Sequence, residues 1–235
     1  MYYKIIGWIA EPLGMLLSFL YQLFDNYGIT IIVFTIIVKA CLFPLYADQI
    51  KHSARMASVQ PKMQALQKKY ANDKETLNIK MMELYKEEKF NPMRGCLPML
   101  IQMPIIFGLF ALLRNPTAFI DSTTMLMAVH EAFAWMPDLS QPDPWVLPIL
   151  SGITTFISYS QTQQQTAMGG DSSMNSMNSM MKMMRYFFPV MIVWMGRSFP
   201  AGLTIYWFVG TAIQIFQTMG LNKWKKKLAA ANEKK

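Results

Sequence analysis

Five stretches of this chain are nearly free of charge, and each is close to the length a helix needs to cross a bilayer. Gly28–Ala47 holds one charge, Lys39, while Cys96–Leu113, Pro144–Gln161 and Ala201–Met219 hold none. Met180–Phe199 is weaker, because Lys182, Arg185 and Arg197 leave only Tyr186–Gly196 uninterrupted. A hydrocarbon core about 30 Å thick takes roughly 20 apolar residues of helix. Composition agrees: 53% of the residues are hydrophobic and 15% charged, against roughly 45–50% and about 25% in an ordinary soluble domain. The expected fold is all-α, a polytopic five-span bundle with spans at 28–47, 96–114, 144–162, 182–199 and 200–220.

Charge sets the orientation. Ten of the 22 Lys and Arg residues fall in Asp48–Gly95 and six in Asn222–Lys235, whereas Asn115–Asp143 has none and carries Asp121, Glu131, Asp138 and Asp143. Basic loops stay in the cytoplasm, so 48–95 and the tail 221–235 are expected inside and the acidic loop 115–143 outside. Five spans then put the N-terminus outside and the C-terminus in the cytoplasm. Residues 1–27 are the ambiguous part. Pro12 reads as a helix start, leaving Leu13–Phe24, a length suited to an interfacial helix; a sixth span over Ile5–Phe24 is the alternative. No cleavable signal peptide is expected, since Met1–Lys4 is a feeble basic region and no A-x-A site follows.

The 48–95 segment is patterned. Val59, Met63, Leu66 and Tyr70 form one helical stripe, and Leu77, Met81 and Leu84 a second. Pro61 is placed to open the first helix, and Asn72 with Glu75 reads as a capping box for the second. The expectation is a basic hairpin of 61–71 and 73–89 that displays Lys62, Lys68, Lys69, Lys74, Lys80 and Lys86. It is either a solvated connector or a docking element. The segment 163–181, rich in Met, Gln and Ser, is expected to be a loop whose polar portion is flexible, with its methionines either a surface for varied apolar partners or the buried face of a helix extending the fourth span. Lys223, Lys225, Lys226 and Lys227 read first as an orientation anchor on anionic lipid; a ribosomal RNA contact, which would use the same charges, is the alternative.

Lys39 is the sharpest single feature, since a lysine inside a span costs about 2.5–3.5 kcal/mol and marks a functional site. Thr35 is one turn away on the same face. Gln102 lies at a similar depth in the second span. Ser151, Thr155, Ser158 and Thr162 recur at helical spacing in the third span, as do Thr204, Trp207, Thr211, Gln214 and Thr218 in the last. Taken together they predict a hydrated cavity open to the cytosol. Catalytic alternatives fail: His52 and His130 are the only histidines, no metal-ligand spacing is present, and there is no phosphate-binding loop or G-x-S-x-G. No catalytic residue, metal, cofactor or small-molecule substrate is expected. Cys41 and Cys96 are too few for a disulfide scaffold. A channel for a small anion is the competing class; it needs polar residues through the outer half, where Ile29–Phe34 and Leu109–Leu113 are mostly apolar.

Several motifs, in order, resemble one family. NYGITIIVFTIIVKACLFPL, VQPKMQALQKKYANDKE, MMELYKEEKFNPMRGCLPMLIQMPI, DPWVLPILSGITTF and FPAGLTIYWFVG are similar to the YidC/Oxa/Alb membrane protein insertases, from about Pro12 to Lys227. The lack of a large external domain resembles the short Gram-positive form. The resemblance implies five spans around a hydrophilic groove, open to cytosol and lipid and closed outside. It implies an insertase and chaperone for nascent membrane proteins that hydrolyses no nucleotide, with the ribosome, the Sec translocon and anionic lipids as partners. Lys39 takes the place of the family's groove cation, with Thr35 beside it. Gln102, Tyr206 and Trp207 match groove or substrate-path positions, and Ser158 stands where relatives carry Gln. Lys39 is a departure, because the family usually has Arg there and the two are not interchangeable.

Overall fold

The computed structural model describes residues 2–88, 97–114, 123–166 and 175–232. These residues are almost wholly helical: α1 Tyr2–Phe24, α2 Tyr27–Cys41, α3 Phe43–Lys69, α4 Lys74–Glu87, α5 Leu97–Arg114, α6 Thr123–Ala128, α7 Val146–Thr166, α8 Asn175–Gly196 and α9 Ala201–Asn232. The helices α1, α2, α5, α7 and α9 meet around one core of Leu17, Leu20, Ile31, Phe34, Leu109, Leu112, Leu113, Leu147, Leu203 and Ile205. The helix α8 packs on α7. No single described helix is long and apolar enough to cross a membrane. The bent pair Tyr27–Cys41 and Phe43–Gln49 passes by length and composition, and Gln102–Leu113 and Met183–Gly196 are shorter apolar stretches.

Prolines account for most departures from the expected boundaries. The expected span 28–47 is bent by 55° at Leu42, because Pro44 sits in the first turn of α3, where its ring favours a new start. Pro12, by contrast, lies inside α1, which begins at Tyr2 rather than Leu13. Pro61 lies inside α3, so the first hairpin arm is not 61–71 but the end of a 27-residue helix. A proline removes one backbone donor; a helix packed on both sides of it tolerates that loss.

The hairpin stripes meet as expected. Val59, Met63 and Leu84 are buried together, with Leu66, Met81 and Tyr85 against them. The cap is one residue later than the expected Asn72: Asp73 accepts from the Thr76 N–H at 3.0 Å and from the Thr76 hydroxyl at 2.5 Å. These bonds, the hydroxyl's foremost, hold the Asp73 carboxyl below the ordinary carboxylate value. The expected loop 163–181 is helical at both ends, with α7 reaching Thr166 and α8 starting at Asn175; its centre, like Cys96, lies outside the described residues. The tail is no separate element either, since α9 continues through it to Asn232.

Residues 123–145 close one end of the bundle, the capped end. Phe133 and Met136 bond backbone to backbone across a turn in which Ala134 has φ 53°. The Ala201 N–H donates to the Gln141 carbonyl at 2.9 Å and the Gly202 N–H to the Leu139 carbonyl at 3.1 Å, satisfying the first donors of α9. Glu131 accepts from the Tyr27 N–H at 2.8 Å and from the Tyr21 hydroxyl. Asp143 accepts from the Trp145 and Val146 N–H groups at 2.8 Å each, and from Trp135 Nε1 at 2.6 Å. Two of the acids of the expected external loop are therefore helix caps.

Candidate functional site

Lys39 lies 12 residues after Tyr27, and Gln102 lies 12 before Arg114. Both are thus about 18 Å along their helices from the capped end. Their side chains meet there. Lys39 Nζ donates to Gln102 Oε1 at 3.2 Å, and Gln102 Nε2 donates to the Tyr206 hydroxyl at 2.8 Å. One amide thereby links α2, α5 and α9. No carboxylate among the described residues pairs with Lys39, and an ammonium has three donors, of which the described residues use one.

Gly210 makes the arrangement possible. A Cβ at that position would lie 2.9 Å from Lys39 Cε and 3.7 Å from Thr35 Cγ2. The lysine stem therefore runs against bare α9 backbone. Thr35 is buried beside it and turns its hydroxyl to the Ile31 carbonyl at 2.7 Å. Sequence reading missed Gly210, although a glycine one turn after Tyr206 was a signal of close approach. Between this cluster and the capped end, Ile31, Phe34, Leu109, Leu112 and Leu113 fill the bundle.

The remaining candidates form a second group. Trp207 Nε1 donates to Thr155 Oγ1 at 3.0 Å, and the Thr154 and Thr211 hydroxyls are 2.8 Å apart. The Ser151 hydroxyl donates to the Thr204 carbonyl at 3.4 Å. Ser158 is buried on the same helix as Ser151 and Thr155. These polar stripes of α7 and α9 stitch the two helices together. The expected single cavity is therefore two features: a three-helix cluster around Lys39 and a neighbouring polar seam. Farther along α9, Gln214 contributes its backbone carbonyl, which accepts from Tyr46 and Thr218, and the Tyr46 and Thr218 hydroxyls also bond. Tyr46 lies inside the expected span 28–47 but the sequence does not single it out, because the 55° bend that brings it to α9 is not visible in the apolar pattern.

The hairpin lysines point outward. Lys62 pairs with Glu88, and Lys80 with Glu83 at 2.6 Å. Lys68, Lys69, Lys74 and Lys86 are exposed. Lys223 is exposed on α9; the side chains of Lys225, Lys226 and Lys227 lie outside the described residues.

Comparison with known proteins settles the family. The profile of the family described as 60Kd inner membrane protein matches residues 19–229. The chain belongs to that family. A membrane protein insertase YidC from Fusobacterium nucleatum is 41% identical over 217 residues, covering 90% of this chain and 96% of the relative. One from Citrifermentans bemidjiense is 38% identical over 221 residues, covering 92% of this chain but 38% of the relative. The chain thus spans nearly all of the first relative and well under half of the second. The fold is similar to that of the active YidC insertase crystal structure with the first transmembrane domain resolved. The TM-score is 0.62 and the identity 27%, over 93% of this chain and 46% of that one.

Proposed function

We propose that this chain is a membrane protein insertase and chaperone of the bacterial cell membrane, acting on nascent membrane proteins without hydrolysing nucleotide. In this reading α2 with the start of α3, then α5, α7, α8 and α9, are the five spans. The helix α1 lies in the outer interface. The capped end faces the exterior, and the hairpin and the end of α9 face the cytosol, with Lys223, Lys225, Lys226 and Lys227 meeting the ribosome or anionic lipid. The Sec translocon is a further partner.

The observation that carries the reading is the Lys39–Gln102–Tyr206 chain, set beneath apolar packing. A polar flank of a client enters from the cytosol, meets the Lys39 donors that the described residues do not use, and so crosses a shorter path in lipid. The client's apolar segment moves along α7, where Ile149, Ile153, Phe156 and Ile157 are exposed, and burial in lipid drives it at roughly 25 cal/mol per Å². A channel for small anions is disfavoured by the Ile31, Phe34, Leu109, Leu112 and Leu113 packing.

Site-directed crosslinking from Gln102 and Trp207 to a nascent membrane protein held on ribosomes tests the proposal. Both positions should capture the client's segment. Absence of crosslinks from both, with client insertion intact, rejects the groove.

A further inference from the structure

Arg197 stands at the capped end, directly after Gly196 at the end of α8, and the function just proposed makes no use of it. It is exposed, and its guanidinium carbon lies 4.0 Å from the ring centre of Trp145, the residue before α7. That is close cation–π contact. The backbone on both sides of the contact is held. In the turn after α8 the Ser198 N–H donates to the Met195 carbonyl at 2.9 Å, and a Cβ on Gly196 would meet Pro148 of α7 at 3.2 Å. Before α7, Asp143 accepts from the Trp145 N–H at 2.8 Å.

The described acids of residues 123–145 are engaged elsewhere. Glu131 accepts from Tyr21 and Tyr27, Asp138 bonds the His130 ring and the Ser140 N–H, and Asp143 holds Trp135 and the start of α7. No described carboxylate lies within ion-pair distance of Arg197, and no described group accepts a hydrogen bond from it or from Trp145 Nε1. The ring occupies one side of the guanidinium, and its N–H fork remains for an oxyanion. Trp135, bonded to Asp143, and Trp194, two residues before the end of α8, are exposed like Trp145. Three indoles and one arginine thus share one layer at the helix ends. Exposed indoles favour the headgroup level of a bilayer.

We propose that Arg197 and Trp145 form a binding site for the phosphate of a phospholipid in the outer leaflet. The inference rests on the orientation in the insertase reading, in which the capped end faces the exterior. Charge and depth select that occupant. Basic residues mark the cytoplasmic side, so orientation gives no reason for a cation at this end. An exported client segment passes through the layer, whereas a lipid phosphate rests in it. A phosphate held there ties the end of α8 to the start of α7 and fixes both at the outer surface.

The test uses the full chain in a nonionic, phosphate-free detergent, with a photoreactive residue in place of Val146, which is exposed beside Trp145. The probes are phosphatidylglycerol and a diacylglycerol with the same acyl chains. Phosphatidylglycerol should crosslink about threefold more, the size of one exposed ion pair. Arg197→Gln should bring it down to the diacylglycerol level. Arg197→Lys should keep part of the preference, as a point charge without the fork. An unchanged diacylglycerol yield shows that each variant is folded. Equal crosslinking of the two lipids to the Arg197 protein overturns the proposal, and so does a preference that survives Arg197→Gln. Displacement by inorganic phosphate, beyond the effect of chloride at equal ionic strength, gives the cation to a free anion and also overturns it. Insertion of a single-span client by the same protein is measured in vesicles; failure there counts against the insertase reading, while the crosslinking still decides the lipid site.

Discussion

Gly28 at the capped end and Gly210 at the Lys39 cluster both let another residue approach a helix backbone, but the residues they admit differ. At Gly28 the intruder is the ring of Phe133, with atoms 2.2 Å from where a Cβ would stand. That ring belongs to a segment pinned by Glu131, Leu139 and Gln141. At Gly210 the intruder is Lys39 Cε at 2.9 Å, near the end of a flexible chain. One glycine serves a rigid seal and the other a movable charge. The capped end is built to stay shut, and the cluster is built so that one group can shift.

The comparison breaks first at Gly28. Gly28→Ala should cost about 3 kcal/mol, the upper end for overpacking, because no small adjustment clears the ring. Thermal unfolding in detergent reads this, and a shift near zero would show the seal to be soft. Glu131→Ala comes next, leaving the Tyr27 N–H and the Tyr21 hydroxyl without their acceptor at about 1–3 kcal/mol. A variant as stable as the parent would mean that water replaces the carboxylate freely.

Gly210→Ala should barely change the unfolding temperature yet move the Lys39 ammonium off Gln102. Insertion of clients with acidic flanks should then fall, while clients with neutral flanks keep their yield. If both fall together, Gly210 is a packing residue like Gly28. The smallest effect lies in the hairpin, at Asp73. Its folded carboxyl titrates below the unfolded one, so its stabilisation is present above the ordinary carboxylate value and is lost as pH falls through the lowered folded value. The Thr76 amide resonance should move only in that acid range, and Asp73→Asn should abolish the movement while keeping the cap.

The hairpin was legible because its stripes are periodic and need only each other: Val59, Met63 and Leu66 found Met81 and Leu84. Lys39, Gln102 and Tyr206 stand out individually as polar groups in or beside apolar runs. Their contact was not legible, because residue counting gives depth along a helix and not the direction it faces. The same limit merged the α7–α9 seam with the Lys39 cluster. Proline misled for a different reason. Pro12, Pro44 and Pro61 look alike in sequence, and only at Pro44 does the chain turn. Neighbours distant in sequence decide whether the lost donor matters. The acids of 115–143 serve in the sequence only to place their loop outside, since Glu131 answers to Tyr21 and Tyr27, more than a hundred residues away.

The unbroken run of α9 from Ala201 to Asn232 gives the molecule a ruler. Tyr206 and Lys223 are 17 residues apart on one helix, so about 26 Å of rise separates them. Nothing slack lies between the two. Whatever grips Lys223 is held in fixed register with Tyr206 and, through Gln102, with Lys39. A load applied there is transmitted along a stiff rod as a push or a twist. Inserting one residue between them would turn the two ends about 100° relative to each other while adding only about 1.5 Å, so timing between the tail and the cluster depends on torque more than on reach.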